Sequence, residues 1–270
     1  MTAPNKSYII CATPRCGSHL LAEALQTTGI AGKPDEYFLP NKHGQLQNEA
    51  GVIAERFGEK SLEEFRQLVL ELGSSSNNVF GIILHGTYLQ SIINNFQNMP
   101  HYQTLNTADL FAEIFHNPKY IWIQRRDKVR QAISWLKASE TGIWSQFKGA
   151  EIGLKLNKEP QYDYYIIDQY YKFFIELEKT WADFFETYQI EPFVVVYEEL
   201  VEKYEQTQFE LLDFLDISYD NKLVFSERML QRQSTNSNHE WAQKYRQQKA
   251  SSIHRFIRFL RYLRFKLLPD

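Results

Sequence analysis

Short apolar runs alternate along this chain with longer stretches of helical period. Tyr8–Ala12, Val79–Leu84, Tyr120–Gln124 and Phe193–Tyr197 are apolar and give way to polar or helix-starting residues, so each predicts a strand. Between and after them, apolar positions recur every three or four residues. They predict helices over Ser18–Thr27, Ser61–Leu72, Gly86–Asn95, Thr107–Phe115, Lys128–Ala138 and Asp163–Tyr188. Strands alternating with helices imply βαβ units, and hence a parallel α/β sheet of about four to five strands flanked by helices on both faces. In such sheets the ligand sits beyond the carboxyl ends of the strands. Residues 1–250 read as a single domain and 251–270 as a basic helix. The polar stretch Gly142–Gln161, with Trp144 and Phe147, reads either as a flap over a substrate or as a plain surface connection.

The opening segment adds chemistry to this frame. Strand Tyr8–Ala12 runs into Thr13-Pro14-Arg15-Cys16-Gly17-Ser18-His19-Leu20-Leu21, a turn punctuated by Pro14 and Gly17 and then a helix start. The N–H groups of a helix start point outward, and the helix dipole favours an anion there. Arg15 adds a cation and Ser18 a hydroxyl. The segment has the shape of a phosphate-binding loop, which makes the sheet P-loop-type. The Walker pattern, however, places Lys and a magnesium-holding hydroxyl after the glycine. Gly17 is followed by Ser18 and His19, so the loop reads as a site for an anion that comes without a metal. The competing reading is ordinary turn chemistry with a solvated arginine.

Charge and cysteine content narrow the setting. The 270 residues carry a net charge of −3, which argues against a general nucleic-acid binder. Trp241–Asp270 holds eight Lys/Arg and one acid, leaving −10 on the preceding residues. Cys11 and Cys16 are the two cysteines, too few for a disulfide framework or a zinc site. No signal peptide and no bilayer-length apolar run is present, so the expectation is a reduced, cytoplasmic setting. In the tail, Ile253, Ile257, Leu260, Leu263 and Leu267 fall within about 120° of one another on a helix, with arginines every third residue. That helix fits peripheral contact with the inner face of an anionic membrane, or docking on protein.

Four further segments carry candidate groups. Ile123–Ser134 contains a strand end, Arg125-Arg126, and a helix start near Asp127. Arg126 and Ser134 lie about two helical turns apart and can share one phosphate; the alternative is a solvated charge run. Gly32–Phe38 puts Asp35 and Glu36 at a Pro-marked turn, where a carboxylate can act as general base or simply be solvated. His85 ends the strand Val79–Leu84 as a base, an oxyanion donor or a structural histidine. Tyr197 ends the strand before Glu198-Glu199-Leu200, as a base-stacking group or a tyrosine at the rim of the core. Ser18 and His19 are adjacent and no Gly-x-Ser-x-Gly elbow exists, which argues against a hydrolase.

Together these segments resemble sulfotransferases that use 3′-phosphoadenosine-5′-phosphosulfate (PAPS), most closely the bacterial trehalose-2-sulfotransferase-like family. The resemblance is carried by Ala12–Ser18, Gly29–Phe38 and Arg125–Ser134, with Tyr197-Glu198-Glu199-Leu200 matching a strand-end motif of the superfamily. It implies that Arg15, Cys16, Gly17, Ser18 and His19 bind the 5′-phosphosulfate and that Arg126 and Ser134 hold the 3′-phosphate. Tyr197 would lie near the adenine, and Arg232 with Gln233 would close over the 3′-phosphate. Glu36 falls at the family's catalytic base, assisted by Arg15, whereas His85 resembles the base of the animal cytosolic sulfotransferases. Cys16 stands where a Ser is usual, His19 where a Ser or Thr is usual, and Ile83 where a Lys is expected. The resemblance further implies a carbohydrate or glycolipid hydroxyl as acceptor, no metal, and a homodimer. The alternatives are a P-loop kinase of a nucleoside or sugar, and a non-catalytic nucleotide-binding protein.

Overall fold

The computed structural model of the protein describes residues 3–38, 61–147, 150–152, 156, 158–220, 223, 236–251, 255–260 and 262. Four parallel strands, β1 (Lys6–Ala12), β2 (Val79–His85), β3 (Lys119–Gln124) and β6 (Phe193–Val196), form a sheet in the order β2-β1-β3-β6. All seven residues of β2 and six of seven in β1 are buried, which is why these strands read as unbroken apolar runs. The register sets Ala12 level with His85 and Gln124 level with Val196. The turn after β1 and the residue that ends β2 therefore emerge side by side.

The helices are α1 (Ser18–Gln26), α2 (Leu62–Leu72), α3 (Leu89–Gln97), α4 (Thr107–Phe115), α5 (Lys128–Thr141), α6 (Tyr164–Thr187), α7 (Tyr197–Glu202), α8 (Tyr204–Phe214) and α9 (Asn236–Ala250). Ser61 starts α2 with a reciprocal capping box to Glu64, and Asn106 caps α4 through the Asp109 N–H. The sequence pattern placed the third helix at Gly86. It begins three residues later, because the Gly86 N–H bonds the Ala12 carbonyl and the Tyr88 N–H the His85 carbonyl, which holds 86–88 in a turn. Tyr197 is the first residue of α7 rather than the last of β6. The stretch 142–161 contains a two-stranded antiparallel hairpin, β4 (Ser145–Phe147) with β5 (Ala150–Ile152). Residues 255–260 and 262 of the tail are helical, with Phe256, Phe259 and Leu260 exposed; the remainder of that expected helix lies outside the described residues.

The chain forms two compact units, Met1–Arg126 with Glu176–Met229, and Asp127–Ile175 with Leu230–Asp270. The first holds the sheet. Ile9, Cys11, Phe80, Ile82, Leu84 and Tyr120 face an aromatic core that includes Phe38, Phe65, Phe96, Phe115, Trp181 and Phe184. The alternate residues Tyr8, Ile10, Ile83, Ile121 and Ile123 are buried on the opposite face. Burying one such side chain contributes roughly 1.5–3 kcal/mol. In the second unit, Trp135 meets the rings of Trp144, Tyr170 and Phe174. There the Tyr245 hydroxyl donates to buried Asp168 at 2.6 Å, and Lys172 pairs with the same carboxylate at 2.8 Å.

Candidate active site

The turn after β1 owes its shape to three fixtures, all in the first unit. The Ala12 carbonyl accepts from the buried Trp181 indole at 2.9 Å as well as from Gly86. The Cys16 N–H closes a turn onto the Thr13 carbonyl at 3.2 Å. Gly17 adopts φ +103°, and a Cβ there would sit 2.3 Å from Cδ2 of Tyr197. Only glycine satisfies both demands. Gly17 is also the N-cap of α1, and no side chain caps that helix start. The first N–H groups of α1 thus keep donor capacity toward an anion. Cys11 and Cys16 are both buried, and neither forms a disulfide among the described residues.

Arg125 ties the turn to β3 and α7. Its guanidinium lies 4.7 Å from the centre of the Tyr197 ring, and its Nη1 donates to the Arg15 carbonyl at 3.0 Å. Arg15 itself takes φ +63°, a left-handed backbone in which its carbonyl meets that donor. The next arginine turns elsewhere. Arg126 is 65% exposed at its side chain, pairs with Glu199 at 2.5 Å, and donates its backbone N–H to the Glu198 carboxylate at 3.0 Å. Ser134 sits half-buried on α5 in the second unit. Arg232 and Gln233 lie outside the described residues. Sequence spacing singled out Arg126; the residue that organises the loop is Arg125, which nothing in the local pattern distinguishes from its neighbour.

Glu36 arrives at the same place by a different route. The segment after α1 runs along the free edge of β2: the Lys33 N–H bonds the Gly73 carbonyl, and the Ile83 N–H bonds the Asp35 carbonyl. Phe38 then plugs into the core, fully buried, edge-on to Phe65, Phe96 and Phe115. Between these anchors Glu36 turns inward, its side chain only 2% exposed. The Tyr88 hydroxyl donates to Oε2 at 3.2 Å. Oε1 lies 3.1 Å from Nε2 of His19 and 3.3 Å from Nε2 of His85. By hydrogen-bond geometry Oε1 receives no donor from the described residues. A buried carboxylate oxygen with an open lone pair is what a substrate hydroxyl needs as a proton acceptor.

The electrostatics favour the ionised form of Glu36. Burial pushes its carboxyl up, but the charge of His85, the close contact and charge of His19, and the Tyr88 hydrogen bond outweigh that and hold it below its ordinary 4.5. His85 is pushed down from 6.5 by its own burial and by the charge of His19, with Glu36 opposing. The charges of His85 and His19 act on Glu36 only while those rings are protonated, whereas the Tyr88 hydrogen bond acts whatever their state.

His85 also shares Nε2 with the Ser18 hydroxyl at 3.2 Å. The two candidate bases and the loop serine therefore form one cluster. It is not a hydrolytic triad, because there the acid meets the opposite ring nitrogen from the nucleophile. Here Ser18 and Glu36 crowd the same one. Tyr88 escaped sequence reasoning; the available signal was an aromatic hydroxyl three residues beyond a strand-ending histidine.

Comparison with known proteins shows the family. The family model described as Stf0 sulphotransferase matches residues 7–248. The chain is 25% identical over 258 residues to the trehalose 2-sulfotransferase of Mycolicibacterium smegmatis, covering 89% of this chain and 94% of that protein. It is also 25% identical over 264 residues to the trehalose 2-sulfotransferase of Mycobacterium tuberculosis, covering 91% and 96%. Among solved structures, the sulfotransferase domain of the Synechococcus PCC 7002 olefin synthase aligns over 91% of this chain and 89% of its own, at 15% identity and a TM-score of 0.44. The chain belongs to the Stf0 sulphotransferase family.

Proposed function

With that membership as the premise, we propose that the protein transfers a sulfuryl group from PAPS to a hydroxyl of a small carbohydrate, with Glu36 as general base. The observation that carries this reading is the open Oε1 of Glu36: buried, on an ionised carboxylate, and in one cluster with Ser18 at the start of α1. The residues present fit a phosphosulfate donor. The α1 N–H groups lack a side-chain cap, Gly17 keeps the backbone bare, and Arg15 and Arg125 bring positive charge to the turn.

In this reading the acceptor hydroxyl attacks sulfur in line, opposite the bridging oxygen of the 5′-phosphate. Glu36 removes the hydroxyl proton as the new bond forms. Negative charge grows on the departing phosphate, where the α1 amides and Arg15 oppose it. The ring of Tyr197, packed on Gly17 under Arg125, offers a face for the adenine. Arg126 and Ser134 are the proposed partners of the 3′-phosphate. A carbohydrate acceptor is supported by the two mycobacterial relatives, both trehalose 2-sulfotransferases by name.

The test is calorimetric binding of adenosine 3′,5′-bisphosphate against ATP with magnesium, followed by sulfate transfer from PAPS to trehalose and a panel of sugars. Tight binding of the bisphosphate with transfer to a sugar is the expected result. Preference for ATP with magnesium would favour a kinase. Binding without transfer to any sugar would remove the carbohydrate acceptor.

A further inference from the structure

A buried base has a second task, which is to lose the proton it gains. Four groups surround the Glu36 carboxylate: His19, His85, Tyr88, and Ser18 through His85. His85 has a side chain 8% exposed, and Tyr88 and Ser18 are buried. None of these three leads to water. His19 does, with 31% of its side chain exposed and Nε2 3.1 Å from Oε1 of Glu36. It sits in the first turn of α1, whose start faces the anion site. Among the described residues it is the contact that joins the buried carboxylate to solvent.

We propose that His19 is a relay residue that carries the proton of Glu36 to water between turnovers; this rests on the reading of Glu36 as the base. During transfer, the acceptor oxygen bonds to sulfur, the bridging S–O bond breaks with its electrons on the 5′-phosphate, and the acceptor proton passes to Glu36. The O–H bond of Glu36 then breaks, Nε2 of neutral His19 takes the proton, and the imidazolium passes it to water. Carboxylate and imidazole are both restored. The ring must rotate slightly to align with Oε1, an adjustment common where catalytic contacts tighten with substrate bound. The charged groups facing His19 are Glu36 and Asp35, which favour its imidazolium, and His85, whose protonation opposes it.

Two measurements on the full chain test the relay. Imidazole ¹⁵N NMR titration of His19, in wild type and Glu36→Gln, needs no acceptor. Coupling through the shared proton predicts a lower titration midpoint for His19 in the variant, and an unchanged midpoint overturns the proposal. Turnover is then followed with PAPS and trehalose in His19→Ala. The relay predicts that steady-state turnover falls further than single-turnover transfer, by on the order of 10²-fold, and that added imidazole recovers that difference. Equal losses in both regimes without recovery would make His19 a structural residue. If Glu36→Gln keeps wild-type single-turnover transfer, it is the assignment of the base that fails instead.

Discussion

The Tyr88 hydroxyl donates a 3.2 Å hydrogen bond to Oε2 of Glu36, while Oε1 of the same carboxylate receives none from the described residues. Tyr88 therefore orients the Glu36 carboxylate and helps keep it ionised, although it lies 52 residues away in sequence. Tyr88→Phe removes that donor and keeps the ring. Hydrogen bonds to charged groups contribute roughly 1.5–3 kcal/mol, equivalent to about one to two pKa units. The acid limb of the pH–rate profile is expected to move upward by about that much. A limb that stays in place would show that Tyr88 does not set the ionisation of Glu36.

Glu36→Gln keeps the shape of the side chain and deletes its basicity. Donor binding by calorimetry should stay within about twofold, while turnover falls by ~10²–10⁴. Wild-type turnover in this variant would transfer the role of base to His85.

His85 makes stability depend on pH in a direction its surroundings fix. Its folded value is pushed below 6.5, so between the folded and unfolded values the unfolded chain binds more protons. The contribution is fully present above the unfolded value of 6.5 and is lost as pH falls through the lower, folded one. Glu36, held below 4.5, adds a second loss at more acid pH with the same sign. Urea denaturation from pH 7.5 to 5.5 should show wild type losing stability on acidification, and His85→Gln losing less. Parallel curves for the two proteins would contradict the assignment.

Arg125 braces the loop through a ring and a carbonyl, at 4.7 Å and 3.0 Å. Exposed cation–π contacts contribute roughly 0.5–1 kcal/mol, and the hydrogen bond about 1 more. Arg125→Ala is expected to weaken binding of adenosine 3′,5′-bisphosphate by about tenfold. Arg126→Ala tests the 3′-phosphate assignment in the same assay, and unchanged affinity would remove Arg126 from the site.

Gly17→Ala places a methyl group 2.3 Å from Tyr197 on a backbone at φ +103°. The strain, roughly 1–3 kcal/mol, should appear as a lower melting temperature and weaker donor binding. Pairing it with Tyr197→Ala should relieve the collision but not the backbone strain. A double variant no more stable than Gly17→Ala alone would contradict that division.

Residues close in sequence carried their own instructions. The apolar run of β1, the turn around Gly17 and the period of α1 fix backbone angles and burial locally, so the phosphate-type loop was legible before any contact was known. The same holds for β1 and β2, whose burial on both faces leaves an unbroken apolar signature. Pairing between distant segments was not legible. That Glu36 meets His85 follows from the 31–38 strip lying along the edge of β2, and from Ala12 and His85 ending level in the register. That Arg125 rather than Arg126 reaches the loop is seen only in their contacts, Arg125 with Tyr197 and the Arg15 carbonyl, Arg126 with Glu199. A local pattern specifies what a residue is able to do and how exposed it can be. Only the assembled sheet decides which side chains stand 3 Å apart, because strand order and register are set by the packing of the whole core rather than by any one segment.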